Sequence, residues 1–169
     1  KGTGSWSSTS AIAQGAPATL MQAALNARFT ASQKEYRSKM AAELTTINTK
    51  PPVLRETTLK KAYDLVRWVN HHQGFELLKA AKTTHAWSFT LSEAAKSWTA
   101  GCIIQSELMQ ELTDLLEENQ NLLESTRFKK CHQENRTALE ELLTWGLKAK
   151  IPLPAFSAAW HYLMAISQA

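Results

Sequence analysis

The stretch LKKAYDLVRWVNHHQGFELLKAA, residues 59–81, decides the fold class. Its apolar residues Leu59, Ala62, Tyr63, Val66 and Val69, then Phe75, Leu78 and Ala81, recur three and four positions apart. That spacing lines one face of an α-helix. Gly74 interrupts the stripe and predicts close packing or a bend. The same period extends in both directions. Leu20, Ala24, Ala27 and Ala31 open a long segment that continues through Tyr36, Met40 and Leu44, with Pro17 suited to its first turn. Ile104, Leu108, Leu112 and Leu115 mark another helix, Leu139, Leu142, Leu143 and Leu147 the next, and Phe156, Ala159, Trp160 and Leu163 the last, after Pro152 and Pro154. Loops are predicted at residues 45–54 and 119–125, and a turn at 84–90 where Thr90 or Ser92 caps the helix containing Glu93. β-branched residues nowhere alternate over a strand length, so the chain is expected to be all-α, a single helical domain over residues 1–169.

Composition agrees with a packed domain. Apolar residues make up 44% and charged residues 20% of the 169, which excludes wholesale disorder. The longest apolar runs fall short of the ~20 residues needed to cross a bilayer, so no membrane association is expected. Two cysteines, Cys102 and Cys131, are too few for a disulfide framework and point to a reducing cytoplasm. The net charge of +4 is unevenly placed: residues 1–90 carry twelve Lys and Arg against five Asp and Glu. Those cations are interleaved with acids along helical patterns, without an Arg-rich arm, so nucleic acid is not the expected partner. A small anionic ligand held by the N-terminal half fits better.

No G-x-G-x-x-G follows a strand and no G-x-x-x-x-G-K-[ST] occurs, so no nucleotide cofactor site is expected within the chain. Lys1-Gly2-Thr3-Gly4-Ser5-Trp6 leads into a helix expected over residues 7–14. Glycines, a lysine and a hydroxyl at a helix start suit a phosphate, although the spacing alone reads more readily as an ordinary capped loop. His71 and His72 lack a partner at metal-ligand spacing and Cys131-His132 has no second half, so no metal site is expected. Cys102 reads as a buried small hydrophobe, and the six tryptophans as core or interface.

Five blocks in order carry a resemblance. Lys1–Trp6 resembles K-G-T-G-K-W; Ala27-Arg28-Phe29 with Ser32 and Arg37 resembles A-R-[YC]-x-S-S-x-K-x-x-R; Gln73-Gly74-Phe75 matches A-Q-G-F. Trp98–Gln105 resembles W-R-G-G-C-I-I-R, and Ile151–Ala159 matches I-P-x-P-x-F-x-x-A. The chain thereby resembles the C-terminal helical domain of the 6-phosphogluconate dehydrogenase family.

The resemblance implies an NADP-dependent parent enzyme that oxidises 6-phosphogluconate and decarboxylates the 3-keto intermediate to ribulose 5-phosphate, in the pentose phosphate pathway and gluconate utilisation. It implies that NADP and the catalytic Lys and Glu belong to a portion preceding Lys1, leaving this chain with no catalytic residue and inactive alone. Lys1, Thr3 and Arg28 would contact the substrate phosphate, and the helical domain would form most of a homodimer interface. The chain departs from the pattern at Ser5, Thr99 and Gln105, each where the family has a basic residue, and at Asn70-His71-His72, where it has S-Y-A. Residues 160–169 share little of the family's Y-x-D-[SG]-[YL]-R run, which leads into a tail that reaches the partner's active site. Two other readings stand beside this one: a non-catalytic helical dimerisation module of a divergent paralogue, and a standalone helical bundle regulator, against which the lack of an initiating Met argues.

Overall fold

The computed structural model describes residues 2–44, 52–118 and 121–168. These form eight α-helices and no strand: α1 (Thr3–Ala13), α2 (Thr19–Ser32), α3 (Lys34–Leu44), α4 (Glu56–His85), α5 (Leu91–Lys96), α6 (Glu107–Glu117), α7 (Thr126–Ala149) and α8 (Pro154–Ser167). The all-α expectation holds. Local chemistry sets several boundaries. Thr90 caps α5 through a full capping box, its hydroxyl accepting from Glu93 N at 3.1 Å while Glu93 Oε2 accepts from Thr90 N at 2.6 Å. Ser106 and Ser125 cap α6 and α7 in the same sense, accepting from Met109 N and Phe128 N. Pro154 sits in the first turn of α8, where a missing N–H costs nothing.

The core forms around the long helix α4, packed along α7 and flanked by α8, with α2 lying along α8. Leu65 and Val69 of α4, Met109 and Leu112 of α6, Leu139 and Leu142 of α7, and Ala159 and Leu163 of α8 are buried together. Trp68 meets Phe128 and Phe75 meets Trp98 at ring separations of 6.0 and 5.8 Å. The α4 stripe is largely buried and those of α7 and α8 partly so, but Leu59, Tyr63 and Leu147 are exposed, and the stripe over residues 20–44 buries only Leu20, leaving Ala24, Ala31, Tyr36 and Leu44 in water. Ile104 is exposed as well and lies outside α6, because Ser106 starts that helix two residues later.

Other differences from the sequence reading have local causes. The first helix begins at Thr3 rather than at residue 7, so Gly2 is its cap and Thr3-Gly4-Ser5-Trp6 is its first turn rather than a loop. Pro17 precedes the cap of α2 at Ala18 and so lies outside the first turn. The long segment over residues 20–44 is two helices. Its ladder breaks at Gln33, where Ser32 Oγ donates to Phe29 O at 2.7 Å and competes with the main chain. The loop expected at 45–54 lies outside the described residues up to 51, as do residues 119–120 of the next.

Gly74 is not a site of close packing. α4 continues through it, and a Cβ placed there meets nothing within 4 Å. Gly146 is the opposite case: a Cβ there would stand 2.6 Å from Leu153 Cδ1 and 3.1 Å from Ile151 O. The chain doubles back against α7 at that point, Lys150 taking a left-handed conformation (φ 57°) while Ile151 N donates to Gly146 O at 2.9 Å. Opposite outcomes are expected for one substitution. Gly74→Ala should stabilise by about 0.5–1 kcal/mol through helix propensity, whereas Gly146→Ala should destabilise by about 1–3 kcal/mol through overpacking. Urea denaturation of both variants checks the pair.

Candidate functional site

A cleft of about 590 Å³ opens where α1, α2, α4 and α8 converge with the turn at residues 103–106. Gly4 and Arg28 both line it, so the glycine-bearing start of the chain and the helix-borne arginine come to one place. The contact is close. A Cβ on Gly4 would lie 3.4 Å from Leu25 Cδ1, one turn before Arg28 on α2. Thr3 adjoins Gly4 at the exposed first turn of α1, where Ser7 Oγ donates to its carbonyl at 3.2 Å. Lys1 lies outside the described residues.

α4 builds the facing wall. Tyr63, Arg67, Asn70 and His71 line the cleft, recurring at helical intervals of three and four. The Arg67 guanidinium lies 5.6 Å from the centroid of the Tyr63 ring, in cation–π range. His71 is half-buried, and its Nδ1 lies 2.7 Å from the Arg67 carbonyl oxygen. Gln105 lines the cleft from the turn, its Oε1 accepting from Gly101 N at 3.1 Å. Arg67 and Asn70 went unnoticed as site residues, and His71 was weighed only as a metal ligand, because their spacing is that of any helix face. The sequence signal available was Asn70-His71-His72 standing where the family pattern has S-Y-A.

The cleft joins two guanidinium groups to an apolar floor that includes Leu20, Val66 and Phe156. This arrangement suits an anion attached to a small polar body, because guanidinium donors match phosphate and carboxylate oxygens in pairs. A larger groove of about 660 Å³ lies between the end of α7 and the start of α8 and contains none of the predicted site residues. Among the described residues, no group of three or more His, Cys, Asp or Glu could hold a metal ion. No helix among them is long and apolar enough to cross a membrane. Cys102 and Cys131 are free thiols, both half-buried, so Cys102 is less enclosed than expected.

Burial, partly offset by the bond to the Arg67 carbonyl, holds His71 below the ordinary imidazole value. His72 is lowered by burial too, with Glu76 opposing the shift, and its Nε2 lies 3.0 Å from the Tyr162 hydroxyl. His132 is also lowered, again chiefly by burial. The unfolded chain takes up protons on these rings near 6.5, at higher pH than the folded chain does. Their contribution to stability is therefore complete above about 6.5 and is lost as pH falls toward the folded values. Proton NMR titration should give midpoints below 6.5 for all three rings, and histidine-dependent stability should decline from pH 7.5 to 5.5.

Comparison with known proteins agrees with this geometry. Residues 1–169 match the family described as 6-phosphogluconate dehydrogenase, C-terminal domain. The decarboxylating 6-phosphogluconate dehydrogenase of Raoultella terrigena is 35% identical over 168 residues, covering 96% of this chain and 38% of that protein. The Escherichia coli K12 enzyme is 34% identical, with 96% of this chain and 36% of that protein covered. A solved structure of Plasmodium falciparum 6-phosphogluconate dehydrogenase, described in its apo form, with its cofactor NADP+ and with its substrate 6-phosphogluconate, superimposes with a TM-score of 0.92. That pair is 28% identical and covers 99% of this chain and 38% of the other. This chain thus spans under two-fifths of the length of the relatives it matches. It belongs to the 6-phosphogluconate dehydrogenase family and corresponds to its C-terminal domain.

Proposed function

We propose that this chain is the substrate-binding and dimer-forming domain of an NADP-dependent enzyme that oxidises and decarboxylates 6-phosphogluconate to ribulose 5-phosphate. The observation that carries the reading is the shared cleft of Gly4 and Arg28, two elements of separate family blocks, lined also by Arg67. Arg28, with Thr3 and Lys1 from the start of the chain, holds the substrate phosphate. The described residues contain no strand and hence no strand-to-helix turn of the kind that holds a dinucleotide. The hydride acceptor and the acid–base groups of the reaction belong to another part of the parent enzyme. The helical domain contributes binding and orientation, which lower the entropic cost of the chemical step. Where the family pattern has Arg, Gln105 places a neutral amide on the cleft wall, leaving the cationic hold to Arg28 and Arg67.

Losing one charge-assisted contact costs about 1.5–3 kcal/mol. In the full-length protein, Arg28→Ala should therefore raise KM for 6-phosphogluconate roughly ten- to hundredfold. Steady-state kinetics tests this, and an unchanged KM would remove Arg28 from the site. Absence of turnover in the unaltered full-length protein would instead favour the non-catalytic module of a divergent paralogue. The free thiols Cys102 and Cys131 support the reading that the parent enzyme works in the cytoplasm, where thiols persist.

The uncovered helices support the reading of a homodimer. α3 has no buried residue and touches only α2 among the described elements. Trp6 is 70% exposed, Ile12 74%, Tyr36 61% and Leu44 69%, an apolar load that a lone chain leaves in water. An eleven-residue helix is marginal without tertiary cover, and a second copy would supply it. Light scattering on a dilution series should give twice the chain mass of 18.9 kDa. A species of single-chain mass at micromolar concentration would sink the dimer.

A further inference from the structure

Most polar groups of the Arg28 cleft can only donate or are already engaged. Arg28 and Arg67 are donors without an acceptor atom. Gln105 spends its oxygen on Gly101 N, and Ser106 spends its hydroxyl on capping Met109 N. Asn70 and Tyr63 lie at the exposed rim. His71 differs from all of these. It is half-buried, and its Nδ1 faces a main-chain carbonyl at 2.7 Å. A carbonyl oxygen only accepts, so Nδ1 carries the ring proton, and in the neutral ring Nε2 is a bare acceptor. Nε2 has no partner among the described residues. It is also open, because the buried side-chain polar atoms lacking a partner there are Ser8 Oγ and Gln14 Oε1. The fold therefore provides an oriented, uncommitted acceptor on the cleft wall with two guanidinium groups, set deeper than the exposed oxygens of Asn70 and Tyr63.

We propose that His71 is a specificity-determining residue of this cleft, its Nε2 accepting a hydrogen bond from a hydroxyl of a phosphorylated sugar acid whose anionic end is held by Arg28. The inference rests on the reading that the cleft takes such a ligand, and it adds how the cleft tells a phosphorylated polyol from a bare anion. A ligand with only anionic oxygens offers Nε2 no proton. A polyhydroxy acid satisfies donors and acceptor together, and an analogue lacking the hydroxyl leaves the acceptor unmet. Burial keeps the ring neutral at pH 7 and so preserves the acceptor. Arg67 contributes its carbonyl to orient the ring and its charge to disfavour a second ring proton.

The test titrates the chain with 6-phosphogluconate and, separately, with inorganic sulfate, using calorimetry on the unaltered protein, Arg28→Ala, His71→Phe and His71→Gln. One neutral hydrogen bond corresponds to about a five- to tenfold change. His71→Phe should weaken 6-phosphogluconate by that factor while leaving sulfate, which carries no proton at neutral pH, unchanged. His71→Gln, which keeps an acceptor, should recover most of the loss. As a second measurement, the Nε2 nitrogen resonance of His71 in the unaltered chain should shift on adding 6-phosphogluconate and stay in place with sulfate. Arg28-dependent binding with no His71→Phe effect, equal weakening of both ligands, or an unmoved Nε2 resonance at saturation would overturn this inference alone. Binding that ignores Arg28→Ala, or no binding of 6-phosphogluconate, would overturn the proposed function and this inference with it.

Discussion

Gln73 is the side chain on which the site's geometry depends. It is 1% exposed on α4, and its carboxamide reaches the start of α2: Oε1 accepts from Leu20 N at 3.1 Å and Nε2 donates to Thr19 Oγ1 at 2.9 Å. α2 needs this help. Its cap residue, Ala18, has no oxygen with which to meet the free N–H groups of a helix start, and with Ala18 and Leu20 buried, water is a poor substitute. An amide from a second helix therefore completes the first. Without it, a buried donor would go unpaired at a cost of about 1–3 kcal/mol.

That bond also sets the register of two walls. Arg28 lies nine residues along α2 from Thr19, about 13 Å on an ideal helix. Arg67 and His71 lie within two turns of Gln73 on α4. The relative placement of the guanidinium groups follows from one amide together with the apolar packing of Leu20 and Val66 beneath it. α8 runs along α2 and places Phe156 on the same floor. The cleft is built on helices rather than on free loops, which suits a site meant to hold an anion in one orientation.

A division of labour runs through the molecule. The bundle of α4, α6, α7 and α8 buries its own apolar faces and accounts for the core. α1, α2 and α3 bury little: Ser8 and Ala11 in α1, Leu20 in α2 and no residue in α3. Their exposed aromatic and aliphatic residues lie on the elements that carry Thr3 and Arg28. Covering those helices with a second copy would make assembly and ligand binding depend on the same surface. The proposed dimer and the proposed site are therefore physically linked rather than separate properties.

Helical class, most buried positions of the α4 stripe and a cap at Thr90 or Ser92 ahead of Glu93 were legible in the residues, because periodicity and capping are local consequences of backbone geometry. So were the blocks that carry the family resemblance, including Arg28. Other features were not local. The break at Gln33 turns on a hydroxyl competing for a carbonyl, Gly74 and Gly146 differ only in what lies opposite them, and Gln73 caps a helix more than fifty positions away. Arg67 and His71 read in sequence as members of an ordinary helix face, and His71 was weighed only as a metal ligand. They become part of a site because α2 is held across from them, with Gly4 packed one turn from Arg28. Sequence determined the apolar stripe of α4 and the capped start of the helix containing Glu93; the meeting of α2 with α4 decided which polar residues share a cleft, since that meeting depends on contacts between positions far apart in the chain.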